Sequence, residues 1–243
     1  MALLAGRTVF IGRKGRVAGV GGVAALGACL LLSACGSVQL GSAAIVGNQR
    51  ITQATLDSQV SNFEAAAANY PGQVQVTSAE TPAAVLTWLI RFSIENRMAS
   101  EAGVSVSETE IQAGVESVSQ QIAEEQEEEG QSASLTPGLL NVGISPQMLS
   151  DLGKYQAQLD AFAAKANGGK LPSTTAQNNA VTTAVTKAQC TAAKSLNIQV
   201  NPQYGRFEYG TTYAVESGST ANALSAPAGK PTKPSTSGLT PAC

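Results

Sequence analysis

From Thr52 to Leu196 the chain is a succession of helix-start signals, each followed by apolar residues at helical spacing. That succession confines it to a mainly helical fold. Thr52 stands at an N-cap before a helix through about Tyr70, with Leu56, Val60 and Phe63 on one face and Pro71-Gly72 to stop it. Thr81 reads as the next N-cap, with Pro82 at the first helical position; Val85, Leu89, Phe92 and Ala99 form the inner side, and Gly103 ends the helix. Ser107-Glu-Thr-Glu110 is a capping box ahead of Ile111, Val115, Val118 and Ile122. Ser145-Pro146 opens a fourth helix, striped by Leu149, Leu152, Tyr155, Leu159 and Phe162 and ending near Asn167-Gly168-Gly169. A fifth, from about Thr174 to Leu196, carries only Val181, Val185, Ala188 and Ala192, small side chains that require a close neighbour.

Short strand patterns flank the helices. Ala44 to Ile51 alternates but is broken by the turn pair Gly47-Asn48, and Asn197 to Pro202 alternates up to a proline. A further such pattern runs from Gln203 to Tyr209. A lone strand cannot satisfy its own backbone groups, so the two ends are expected to pair with each other. The predicted fold is mainly α, about five helices closed by a small two-stranded sheet that joins the ends of one domain, residues 44–216. Residues 217–243 are rich in Ser, Thr, Ala, Gly and Pro, with only Leu224 and Leu239 as large apolar residues, and read as a disordered tail.

The N-terminus carries a different message. Arg7, Arg13, Lys14 and Arg16 precede a sixteen-residue apolar stretch, Val17 to Leu32, and no acidic residue occurs before Asp57. The stretch is short of the ~20 residues a spanning helix needs. It ends in Leu32-Ser33-Ala34-Cys35, so residues 1–34 read as a secretory leader and Cys35 as a lipobox cysteine that takes a diacylglycerol thioether. Residues 35–43 are then a short tether, and the location expected is the extracytoplasmic face of a cell membrane, held by acyl chains at roughly 0.8 kcal/mol per buried CH₂. Cleavage removes four of the fifteen basic residues and none of the seventeen acidic ones, leaving −6 over 209 residues. Attachment therefore rests on lipid and not on basic charge.

Charge and composition exclude several functions. A chain at −2 overall has no basic surplus for nucleic acid. It contains no histidine, which removes Ser-His and Cys-His catalysis and His-ligated zinc. No Cys-x-x-Cys, phosphate-loop or nucleophile-elbow pattern occurs in the mature part, so neither enzyme nor cofactor is expected. Five acids in six positions, Glu124, Glu125, Glu127, Glu128 and Glu129, read as a solvated helix end and not as a metal site. Of the cysteines left after Cys35, Cys190 and Cys243 fit either a disulfide in an exported protein or two separate thiols.

Candidate contact residues are apolar. Tyr204, Phe207, Tyr209 and Tyr213 fall within ten residues and read either as a platform for apolar peptide segments or as cover for the core. Trp88, off the main stripe of its helix, is open to the same two readings. Residues 130–144, with Leu135, Leu139, Leu140, Val142 and Ile144, read as a mobile apolar loop suited to capture or folded over the core.

Two segments carry a family resemblance. Ala44-Ile-Val-Gly-Asn-Gln-Arg-Ile-Thr-Gln-Ala-Thr-Leu-Asp57 resembles the opening of the SurA N-terminal chaperone domain, and Ile198-Gln-Val-Asn-Pro-Gln-Tyr-Gly-Arg-Phe207 is similar to the close of SurA-like actinobacterial lipoproteins, with Gln203 where arginine is usual. The resemblance covers about residues 44–210. It implies a helical chaperone domain whose partners are unfolded exported polypeptides. It also implies a protein without the parvulin isomerase domain of full-length relatives, for which the chain has neither room nor histidines. An envelope adaptor that binds one folded partner is the alternative reading.

Overall fold

A computed structural model describes residues 40–128, 134–210 and 213–217. The leader, Cys35, most of the tether, Glu129 and the tail from residue 218, Cys243 included, lie outside them. The fold is mainly α with small antiparallel sheets. Strand β1 (Ser42–Val46) and β2 (Gln49–Thr52) lead into α1 (Gln53–Ala67), α2 (Thr81–Ala102), α3 (Glu108–Glu128), α4 (Leu135–Asn141), α5 (Leu149–Ala166) and α6 (Thr175–Ser195). Strands β3 (Gln199–Val200), β4 (Arg206–Glu208) and β5 (Ala214–Glu216) follow.

The segment read as one broken strand is a hairpin. Gly47-Asn48 is its two-residue loop, with Gly47 at φ +60°, the positive φ that such tight turns ask of glycine. Strand β3 adds to the free edge of β1, pairing Val200 with Ala44 and Gln199 with Ile45, so the two ends of the domain do meet in one sheet, of three strands in the order β2-β1-β3. A second sheet, the hairpin β4-β5, was not foreseen as a pair.

The helix starts follow the local chemistry. Thr52 Oγ1 accepts from Thr55 N at 3.0 Å. The capping box at Ser107 and Glu110 is formed, with Glu110 Oε2 accepting from Ser107 N at 2.6 Å. Thr174 and Gln177 form a second box at α6. Gly103 closes α2 in the left-handed region at φ 61°. Thr81 differs from expectation: it is the first residue of α2, because the Glu80 carboxylate accepts from Thr77 N and Oγ1 and starts the turn earlier. Residues 134–144 are not a loop. Gln126, buried at the end of α3, holds the Ser134 backbone at both ends, accepting from its N–H at 2.5 Å and donating to its carbonyl at 3.0 Å. That clamp starts α4 and seats Leu139 and Leu140 in the core.

Helix α2 is the centre. Val85, Leu86, Ile90, Ile94, Met98 and Ala99 are buried, and α1, α5, α6, β1 and the hairpin β4-β5 pack around them with Leu56, Phe63, Leu139, Ile144 and Met148. Helices α3 and α5 meet through glycines: a Cβ on Gly114 would run into the Gly153 carbonyl oxygen, and one on Gly153 would lie 2.8 Å from the Ile111 carbonyl. Glu124, Glu125, Glu127 and Glu128 are exposed at the end of α3.

Candidate functional site

The expected platform at 204–213 is largely structural. Asn201 Nδ2 donates to the Ser42 carbonyl at 3.1 Å and Asn201 N to the Ala43 carbonyl at 2.9 Å, which ties this segment to β1. The chain turns through Pro202 and Tyr204, and Gly205, at φ +123°, passes so close to the Glu216 carbonyl that a Cβ would clash. Phe207 is buried and pairs with Val215 across the hairpin; Tyr213 is buried as well. Tyr209 stands edge-on to Phe207 at 5.0 Å, and its hydroxyl accepts from Ile198 N at 3.0 Å. Val215 N donates to Thr87 Oγ1 at 2.9 Å, which docks the hairpin on α2.

Leu139 and Leu140, expected as contact residues, are corrected likewise: they are 1% and 0% exposed. Phe207 is withdrawn for the same reason. A side chain that already fills the core has no surface to give a ligand. Tyr204 and Tyr209 keep a partly exposed face, but at the edge of a packed segment and not as a platform.

Trp88 leads to a different surface. Its Nε1 donates to the Val142 carbonyl at 2.7 Å, the Arg91 guanidinium lies 4.7 Å over its ring, and the ring is half-buried. Phe92 and Tyr155 each lie 5.8 Å from it, and 6.2 Å from each other, in tilted and edge-on contacts. Contacts then advance in step along α2 and α5. Gln158 Nε2 donates to Asn96 Oδ1 at 3.1 Å, and Lys165 Nζ to the Ala102 carbonyl at 2.6 Å. The two helices therefore run parallel, and Trp88, Phe92, Tyr155, Leu159 and Phe162 form a partly exposed apolar seam packed on the core. At its far end Phe162, Met98 and Ala102 meet Ala184 and Ala188 of α6 around a shallow groove of about 360 Å³. The stripe on α5 was legible in sequence, but its partial exposure and its junction with Trp88 were not.

Beneath the seam lies one carboxyl. Glu95 is 1% exposed; Oε2 accepts from Gln189 Nε2 at 3.2 Å, and Oε1 finds no partner among the described residues. Burial pushes its pKa from the ordinary 4.5 to about 7, against the opposing Gln189 hydrogen bond. Burial, and then the Glu95 carboxylate, also raise Tyr155, while Arg91 is lowered by burial. A separate cleft of about 430 Å³ between the β1-β2 turn, α2 and the end of α6 holds Asn48, Ser93, Asn96, Arg97 and Ser195, with Arg97 ion-paired to Glu101 at 2.6 Å. Ser195 Oγ donates to Glu101 Oε1 at 3.5 Å, the same carboxylate oxygen that Arg97 holds.

Among the described residues no group of three His, Cys, Asp or Glu side chains is placed to hold a metal ion, and no helix is long and apolar enough to cross a membrane. Cys190 of α6 is disulfide-bonded. Comparison with protein-family models, with curated proteins and with solved structures found no match.

Proposed function

We propose that this chain is a lipid-anchored extracytoplasmic holding protein, one that binds apolar segments of unfolded exported polypeptides shallowly along the α2-α5 seam and lets them go. The observation that carries the reading is the seam itself: five large apolar side chains in a row, four of them aromatic, left partly exposed on two parallel helices. Aromatic faces give contact that tolerates many sequences, and an open surface without a deep pocket favours fast release. The Leu32-Ser33-Ala34-Cys35 pattern, read as a lipobox, and the resemblance of residues 44–57 and 198–207 to segments of SurA-like lipoproteins fit the same reading. It includes no isomerase step, since the parvulin sites of full-length relatives use histidine and this chain has none.

The test follows light scattering by a denatured client diluted into buffer, with and without the chain from residue 35 carrying Cys35→Ala. Suppression at near-stoichiometric amounts is expected, and Leu159→Ser with Phe162→Ser is expected to weaken it several-fold while the thermal midpoint shows the domain still folded. A folded domain that suppresses nothing rejects the holding reading. A single stoichiometric partner in a cross-linked pull-down would then favour the envelope adaptor.

A further inference from the structure

Helix α6 is held unevenly along its length. Its last turns are anchored: Cys190, Ala192 and Ala193 are buried, Ser195 Oγ donates to Glu101 Oε1 at 3.5 Å, and the Leu196 carbonyl accepts from Gly47 N at 2.6 Å. Over residues 175–189 only Val181 is buried. Among the described residues, the one side-chain hydrogen bond from this half to another helix is that of Gln189, whose Nε2 donates to Glu95 Oε2 at 3.2 Å. Gln189 also lies against the Tyr155 hydroxyl. A single neutral amide thus ties α6 to α2 and α5, and it does so at a carboxyl whose other oxygen, Oε1, finds no partner among the described residues.

That arrangement suits a neutral carboxyl. Ionised, Glu95 is a buried charge with one donor, and such a charge is relieved only by admitting water. Helix α5 is poorly placed to give way, since Gln158 holds Asn96, Lys165 holds the Ala102 carbonyl and Gly153 presses on α3. The first half of α6, with one buried valine, is the least anchored neighbour. We infer that Glu95 is a proton-operated latch: protonated, it holds the first half of α6 through Gln189, and deprotonated, it lets that half lift about residues 190–193 and bare Met98, Ala102 and Phe162. The capping box of Thr174 and Gln177 lies wholly within the moving half, so it lifts as an intact helix. The bared side chains line the groove at the end of the seam, so their use by clients rests on the holding reading above. Of the groups around Glu95, Arg91 on α2 stays cationic, and burial raises Tyr155 on α5 and Tyr213 ahead of β5 above the ordinary 10. Helix α6 faces it with the neutral Gln189. Glu95 is therefore the group among them that changes charge near neutrality.

Hydrogen–deuterium exchange of the full-length protein in detergent, at about pH 5.5 and about pH 8.5 and corrected for intrinsic rates, provides the test. Protection of residues 179–189 is expected to fall about thirty-fold between the two, the ratio set by a carboxyl pKa of about 7 when closed and the ordinary 4.5 when open. At both pH values it is expected to stay below that of residues 86–94 in α2, which exchange only on complete unfolding. Glu95→Gln, of the same shape and always neutral, is expected to abolish the fall. Protection of residues 179–189 that is independent of pH in the wild-type protein, or equal to that of α2, overturns the latch without recourse to the variant. Client suppression is expected to be several-fold stronger at the higher pH, and equal at both in Glu95→Gln. Equal suppression by a wild-type protein whose α6 opens overturns the gating of the seam, whereas suppression at neither pH rejects the holding reading and not the latch.

Discussion

Helices α2 and α3 are almost the same length, 22 and 21 residues, and they are fixed in opposite ways. Helix α2 buries ten residues and is surrounded. Helix α3 buries Gly114, Val118 and Gln126, and lies against α5 where two glycines let the backbones touch. One helix is held by filled volume, the other by close approach. Dispersion between backbones replaces the large side chains that α3 does not commit to the core. The two should therefore fail under opposite substitutions: α2 when side chains shrink, α3 when they grow.

The largest effect is expected at α2. Leu86→Ala or Ile90→Ala, both at fully buried positions, should cost about 2–5 kcal/mol in urea denaturation. Val115→Ala on the partly exposed side of α3 should cost less than half of that, and equal losses would erase the distinction. Next comes the carboxyl buried in α2. Glu95 keeps its proton in the folded chain up to about pH 7, whereas unfolded it releases it near 4.5. The Glu95 contribution is therefore full below pH 4.5, falls as pH rises toward 7 and levels off above, a loss of about 3 kcal/mol at 1.36 kcal/mol per pH unit. Glu95→Gln keeps the contact to Gln189 and should flatten that profile, which denaturation midpoints between pH 4 and 8 would read.

Enlargement should then break α3. Gly114→Ala gains helix propensity of up to ~1 kcal/mol. It should nevertheless destabilise the domain by about 1–3 kcal/mol, because the atom it meets is a backbone carbonyl that cannot rotate away. A net gain in stability would show that the two helices separate freely. The smallest effect is expected at the hairpin: Thr87→Val strands the buried Val215 N–H and should cost about 1–2 kcal/mol, read as a lower thermal midpoint.

What could be read from sequence was local. Thr52, Ser107 with Glu110, Thr174 and Gly103 act within one turn of themselves, so their positions carried the helix boundaries. Helix α4 was hidden because its seven residues include Pro137 and Gly138, and its start is set by Gln126, eight residues before Ser134. The aromatic cluster at 204–213 was visible as composition, but composition does not say which ring faces inward. Pairing of Phe207 with Val215 decides that. The seam joins Trp88 to Tyr155 across two intervening helices, α3 and α4, and no local pattern announces such a meeting. Gly114 and Gly153 did leave a trace, since a glycine inside a helix is costly and marks close approach when it is kept.

The sheet that joins the two ends of the domain also sets a clock. Asn201 reaches the Ser42 carbonyl across 159 positions, and β3 completes β1 only after α1 to α6 have been made. At synthesis rates of about 5–20 residues per second, that leaves roughly eight to thirty seconds in which the native sheet cannot close. Closing so long a loop adds only about 0.6 kcal/mol per doubling of its length, so the finished fold loses little by waiting. The delay is a property written into strand order and not into any single side chain.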